Sequence, residues 1–178
     1  MKTVTVRLLS LLALAAAMGL GQTQEQDVKG WSTAKWGMSL QQIREAFPSA
    51  GVVKPAKEDY TAFGRLKSHV MLATLHASAW FEFPADQDKL CAVNLDVDNA
   101  RANRPQAFET LKSELTEQYG KPATSQSVSD GNASGSGAVT KSVVWRLTST
   151  TITLTWSDYG DVGFVSVRYA ERRPDSTF

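Results

Sequence analysis

The stretch Val70–Phe83, VMLATLHASAWFEF, decides the fold class. It alternates along its whole length. Met71, Ala73, Leu75, Ala77, Ala79, Phe81 and Phe83 fall on one side, and Thr74, His76, Ser78, Trp80 and Glu82 on the other. Successive strand residues point to opposite faces, so the pattern predicts one half-buried antiparallel strand. The turn PADQDK, 84–89, leads into KLCAVNLDV, 89–97, where Cys91, Val93, Leu95 and Val97 again share a side. The two strands are expected to form a hairpin. An earlier strand is expected within 60–66.

Upstream stands AKWGMSLQQIREAFP, 34–48. Ser39 as N-cap with Gln42 three residues on makes a capping box, and Met38 before the cap can staple against Ile43. Leu40, Ile43 and Phe47 keep the spacing of one helical side. Pro48 forces Phe47 out of the helical region, and Gly37 permits a sharp turn into the cap. Downstream, Asn103 or Arg104 opens a second helix with Pro105 in its first turn, where the missing N–H costs nothing. Phe108, Leu111, Leu115 and Tyr119 line its apolar side, and Gly120 followed by Pro122 stops it.

Three more alternating runs follow: Val143, Trp145 and Leu147; Ile152, Leu154 and Trp156; Val165, Val167 and Tyr169. The Ser/Thr tract TSTT and the turn DYGDVG, 158–163, separate them, and SDGNASGSG, 129–137, reads as a flexible loop. A helix and a β-meander thus occupy about 31–98, and a second helix and meander about 103–170. The expected class is α+β: two helix-plus-antiparallel-meander units in tandem, with the helices on one face of an antiparallel sheet. Residues 31–178 are expected to form a single domain.

The motif Gly37-Met38-Ser39-Leu40-Gln41-Gln42-Ile43 resembles a signature found in two exported bacterial families. These are the small lipoprotein of the β-barrel assembly machine and the tandem-repeat β-lactamase inhibitor protein. In both, the motif opens a helix that packs on an antiparallel sheet. The wider pattern Trp36 to Ser39, Phe81-Glu82-Phe83, Lys89-Leu90 and Tyr119 to Pro122 is similar to exported bacterial domains. The resemblance implies a sheet whose concave face binds a protein partner.

The N-terminus carries a second message. Lys2 and Arg7 precede an apolar run, Leu8–Leu20, and Ala15-Ala16-Ala17 is a small-residue cleavage pattern. Together they predict a signal peptide over 1–21 and then a polar, flexible segment over 22–30. The expected location is periplasmic or secreted. The apolar run is shorter than the ~20 residues a membrane span needs. No cysteine stands directly after it, so a lipid-anchored N-terminal cysteine is not expected.

The formal net charge is +1, and it becomes −1 without Lys2 and Arg7. Neither sign dominates, which argues against nucleic acid as a partner. Cys91 is the one cysteine, so an intramolecular disulfide is impossible and the fold must rest on its core. Within its alternating strand Cys91 reads as a small buried hydrophobe.

No catalytic motif of the G-x-S-x-G, H-E-x-x-H or P-loop type is present. His69 and His76 are seven apart, which on one strand places them on opposite faces, so a shared metal site is not expected. Asp96 and Asp98 share a strand face but lack the spacing of a calcium loop. Neither a cofactor nor a metal is expected.

The leading functional expectation is a non-enzymatic binding module that recognises a protein or peptide through the open sheet face. The residues expected to make contact are Thr74, His76, Trp80 and Glu82 in the first unit and Val144, Arg146, Thr153 and Thr155 in the second. Exposed tryptophan is enriched at interface centres, which singles out Trp80. Two alternatives stand beside this one. The first is an accessory factor in outer-membrane or envelope assembly. The second is an envelope hydrolase using His76 with Glu82 or Asp96.

Overall fold

A computed structural model describes residues 27–52, 66–84, 87–98, 103–130, 138–159 and 162–172. The expected signal peptide, the tail before Asp27, residues 60–65 of the expected early strand and the loop 131–137 lie outside them. The chain builds mostly antiparallel sheet with two helices. A two-stranded ribbon, β1 (Gly30–Trp31) and β2 (Ala34–Lys35), leads into helix α1 (Leu40–Ala46). Strands β3 (Gly51–Val52), β4 (Leu66–Leu72), β5 (Leu75–Glu82) and β6 (Ala92–Val97) follow. After helix α2 (Arg104–Tyr119) come β7 (Thr124–Asp130), β8 (Ala138–Arg146), β9 (Thr150–Tyr159) and β10 (Val162–Glu171). The last eight strands form one sheet in the order β3-β4-β5-β6-β10-β9-β8-β7, and every neighbouring pair is antiparallel.

The entrance to α1 is built as its sequence dictates. Gln42 N donates to Ser39 Oγ at 3.3 Å and Ser39 N donates to Gln42 Oε1 at 2.8 Å, which closes the capping box. Gly37 takes φ +81° to turn into the cap. The helix ends at Ala46, before the Phe47-Pro48 step. Helix α2 is longer. Its Phe108, Leu111 and Leu115 are buried, and Gly120 ends it at φ +80°, a conformation that glycine adopts without strain.

Cross-strand register defines the two faces of the sheet. Phe81, Val93, Tyr169, Ile152 and Trp145 stand directly across from one another in succession. Their face holds the core, with Ala79, Leu95, Val167, Leu154 and Val143 in the next row. Both helices meet this face. Phe47, at the end of α1, lies 4.8 Å from Phe81 and stacks on Trp31 at 5.9 Å. Phe108 of α2 lies 6.1 Å from Trp156. Trp145 is fully buried and donates from Nε1 to Gly120 O at 2.9 Å, which ties β8 to the end of α2. Nearby, at the β8–β9 turn, Thr150 Oγ1 donates to Val28 O and accepts from Trp36 Nε1. That link pins the ribbon to β9.

The stretch 70–83 is two strands, not one. Ala73 and Thr74 form a two-residue turn between β4 and β5, with Leu72 across from Leu75. Ala73 takes φ +52°, in the left-handed region that hairpins usually give to glycine or asparagine. The turn reverses side-chain parity. Val70 and Leu72, rather than Met71 and Ala73, join the core face, and Met71 is 55% exposed on the other side. Strand β7 is a further difference, because Thr124–Asp130 is polar and carries no alternating apolar signal. Trp156, expected in the core, packs against it but stays half-buried.

Candidate functional site

The face opposite the helices carries the candidate site. One row crosses it by direct pairing: Lys67, Trp80, Asn94, Arg168, Thr153, Val144 and Thr124. A second row runs His69, Ser78, Asp96, Ser166, Thr155, Ser142 and Gln126. Every residue of the expected contact set except Thr74 stands on this face. Thr74 lies in the β4–β5 turn instead. Trp80, Thr153 and Val144 share the first row and Thr155 lies in the second. Glu82 and Arg146 sit one row further along, and His76 stands at the opposite end. The expected set therefore spans the face rather than converging on one point.

Trp80 is the best-anchored member. The Lys67 ammonium lies 4.9 Å from its ring centroid, a cation–π contact across the strand pair. Its indole N–H points toward Asp96 but falls short of a full hydrogen bond. Burial pushes the Asp96 carboxyl above the usual range, although Asn94 Nδ2 donates to it at 2.7 Å. Beyond Asn94, Arg168 donates to Glu82 at 2.7 Å. Glu82 is thereby a buried, paired carboxylate rather than a free contact residue.

His69 and His76 are on the same face, contrary to the parity argument from the sequence. The β4–β5 turn lies between them, so their odd separation no longer places them on opposite sides. His69 stands across from Ser78 and His76 across from Met71. Ser78 Oγ donates to Asp98 at 2.6 Å, and His69 Nδ1 lies 3.7 Å from the other Asp98 oxygen. The carboxylate sits between hydroxyl and imidazole, so the Ser78 proton is directed at Asp98 and not at a histidine base. A serine nucleophile needs the reverse arrangement. His76 and Glu82 are six residues apart on β5, about 20 Å along a strand, and do not come together. Among the described residues no group of three or more His, Cys, Asp or Glu side chains is placed to hold a metal ion.

The sequence reading missed the apolar part of this face. Among the described residues the exposed large hydrophobics are Met71, Val128, Tyr159, Val162 and Phe164, between 42% and 64% exposed. All of them lie on the face away from the helices. Phe164, Ser157, Thr140 and Val128 stand in direct succession across β10, β9, β8 and β7, and Val162 pairs with Tyr159. Phe164, Val162 and Tyr159 thus cluster at the β9–β10 end, where the small Ser166 and Ser157 on the same face are buried. The one available signal was their parity relative to Val165 and Val167, which puts Val162 and Phe164 opposite the core.

Among the described residues no helix is long and apolar enough to cross a membrane. Comparison with protein-family models, with curated proteins and with solved structures found no match.

Proposed function

We propose that this chain is an exported, non-enzymatic binding module that recognises a protein or peptide through the open sheet face. The observation that carries the reading is the segregation of exposed apolar side chains. Tyr159, Val162 and Phe164 cluster on the one face that neither helix packs against, and Met71 and Val128 stand further out on the same face. Exposed apolar residues scattered singly need no explanation, whereas a contiguous cluster such as Tyr159, Val162 and Phe164 supports an interaction surface. The Trp80, Asn94 and Arg168 row supplies an aromatic–polar border of the kind interfaces favour.

The architecture is proposed to be a duplication: α1 with β3 to β6, then α2 with β7 to β10, joined edge to edge by their last strands. The strand order supports this, because β6 pairs with β10 at the centre of the sheet. The leader predicted over 1–21 supports export, so the proposed location is the periplasm or the medium.

Affinity capture with the mature protein on its own envelope extract tests the reading. A defined partner should be recovered by the wild type and lost with Phe164→Ser and with the pair Trp80→Ala, Arg146→Ala, while circular dichroism stays native. Undiminished recovery by these variants would overturn the assignment of the face. Recovery in an outer-membrane fraction would instead favour an envelope-assembly accessory.

A further inference from the structure

We propose that β7 pairs antiparallel with β7 of a second copy of this chain, joining two sheets edge to edge. The proposal goes beyond the reading of the open face, because it assigns an edge of the sheet and not a face.

Strand β7 is outermost in the sheet order, with β8 as its one strand neighbour. It runs seven residues, Thr124–Asp130, and pairs with β8 residue for residue without a bulge. A regular strand paired on one side turns a row of backbone N–H and C=O groups away from the sheet. Such edges are commonly guarded by a lysine, a proline, a bulge or shortness. Residues 124–129, TSQSVS, hold neither a charge nor a proline, and Ser125, Gln126, Ser127, Val128 and Ser129 are all exposed. The sequence of β7 therefore leaves its edge unguarded.

Charge and register both fit a second copy to this edge. Lys121 stands three residues before the strand and Asp130 closes it, so the edge is basic at its start and acidic at its end. A two-fold axis normal to the sheet sets the start of one β7 beside the end of the other, which brings opposite charges together. That pairing is antiparallel, as every pair in this sheet already is. The register of fullest overlap is centred on Ser127. It sets Ser127 across from Ser127, Ser125 across from Ser129 and Gln126 across from Val128. No charge meets a like charge over those positions. Val128, 55% exposed on the open face, then gains a cross-strand neighbour. The same axis keeps the two open faces on one side, so the paired sheets present one continuous surface.

Sedimentation equilibrium of the mature protein over a dilution series tests the proposal. The wild type should approach the mass of two chains as concentration rises, and amide exchange over 125–129 should slow in parallel. The two copies of Gln126 lie diagonally across the seam, within reach of long side chains. Gln126→Lys and Gln126→Glu should therefore each weaken self-association by about tenfold or more, with unchanged melting temperatures. Mixing the two variants should restore association, which a mere loss of folding could not do. Phe164→Ser should leave the dimer intact. A single-chain mass at every concentration would overturn the proposal. So would a dimer indifferent to both Gln126 variants, or one lost with Phe164→Ser. Failure of Phe164→Ser to reduce partner capture would instead break only the open-face reading.

Discussion

Two cross-strand pairs have the same chemistry and opposite fates. In β4–β5, Lys67 stands across from Trp80 with its ammonium 4.9 Å from the ring. In β8–β9, Lys141 stands across from Trp156 at 4.7 Å. Both indole nitrogens are buried without a full hydrogen bond. Yet Trp80 is on the open face beside Asp96, and Trp156 is on the helix face against Phe108. Composition and pairing do not decide which side a residue serves. The turns decide it, by setting the parity of each strand, and the helices then cover one face.

The covering itself differs between the halves. Helix α2 has 16 residues and buries Phe108, Leu111 and Leu115 over β9 and β10. Helix α1 has 7 residues and buries only Ile43, so the rings of Trp31 and Phe47 close the core over Phe81 instead. A short helix needs such tertiary support, since helices below about 12 residues are marginal alone.

The widest gap between the two pairs should appear on truncation. Trp156→Ala removes a ring packed under α2 and is expected to cost about 3 kcal/mol, against about 1 kcal/mol for Trp80→Ala. Urea unfolding monitored by circular dichroism measures both, and equal losses would break the comparison. Next comes the β9–β10 end, where Arg104 is 6% exposed and faces Asp158 at 3.4 Å. A Cβ on Gly163 would meet Arg104 Nη1 at 2.4 Å and the Ser157 carbonyl at 2.5 Å. Gly163→Ala is expected to cost about 2 kcal/mol, and adding Arg104→Ala should not restore the loss, because the backbone clash remains.

The parity device can be tested by making it easier. Ala73→Gly relieves a left-handed residue and is expected to gain about 1 kcal/mol, read as a higher melting temperature. A loss would mean that the turn is held differently from the β4–β5 register.

The smallest effect is electrostatic and belongs to the open face. Burial raises the Asp96 carboxyl above its ordinary 3.8, so the folded state binds that proton more tightly than the unfolded chain. Stability associated with Asp96 is then full below 3.8 and falls as pH rises through the raised folded value. Asp96→Asn should therefore melt higher than the wild type near neutral pH, with the difference fading below 3.8. A difference that grows on acidification would contradict the burial of this carboxyl.

Much of this molecule was legible locally. Ser39 and Gln42 announce a helix entrance because capping is a contact three residues long. Leu75 to Phe83 and Val93 to Val97 announce strands because a half-buried sheet imposes a period of two. Even the open-face positions of Trp80, Thr153 and Thr155 follow from alternation within single strands. Three of the misses share one cause. The Ala73–Thr74 turn lacks glycine and proline, so the alternation runs through it unbroken in sequence while reversing in space. Met71, His69 and Thr74 were misplaced by that single event, and β7 gave no signal because an edge strand can be polar on both sides.

By itself the sequence determined where helices start and stop and which residues of one strand share a side, because those depend on neighbours a few positions away. It also determined that no disulfide could staple the chain, since Cys91 stands alone. Only the tertiary structure decided that β6 and β10 meet at the centre, that Glu82 is claimed by Arg168, and that Phe164 gathers with Tyr159 and Val162 away from the helices. Those relations link positions far apart in the chain, and they exist only once turns have fixed parity and pairing has fixed register.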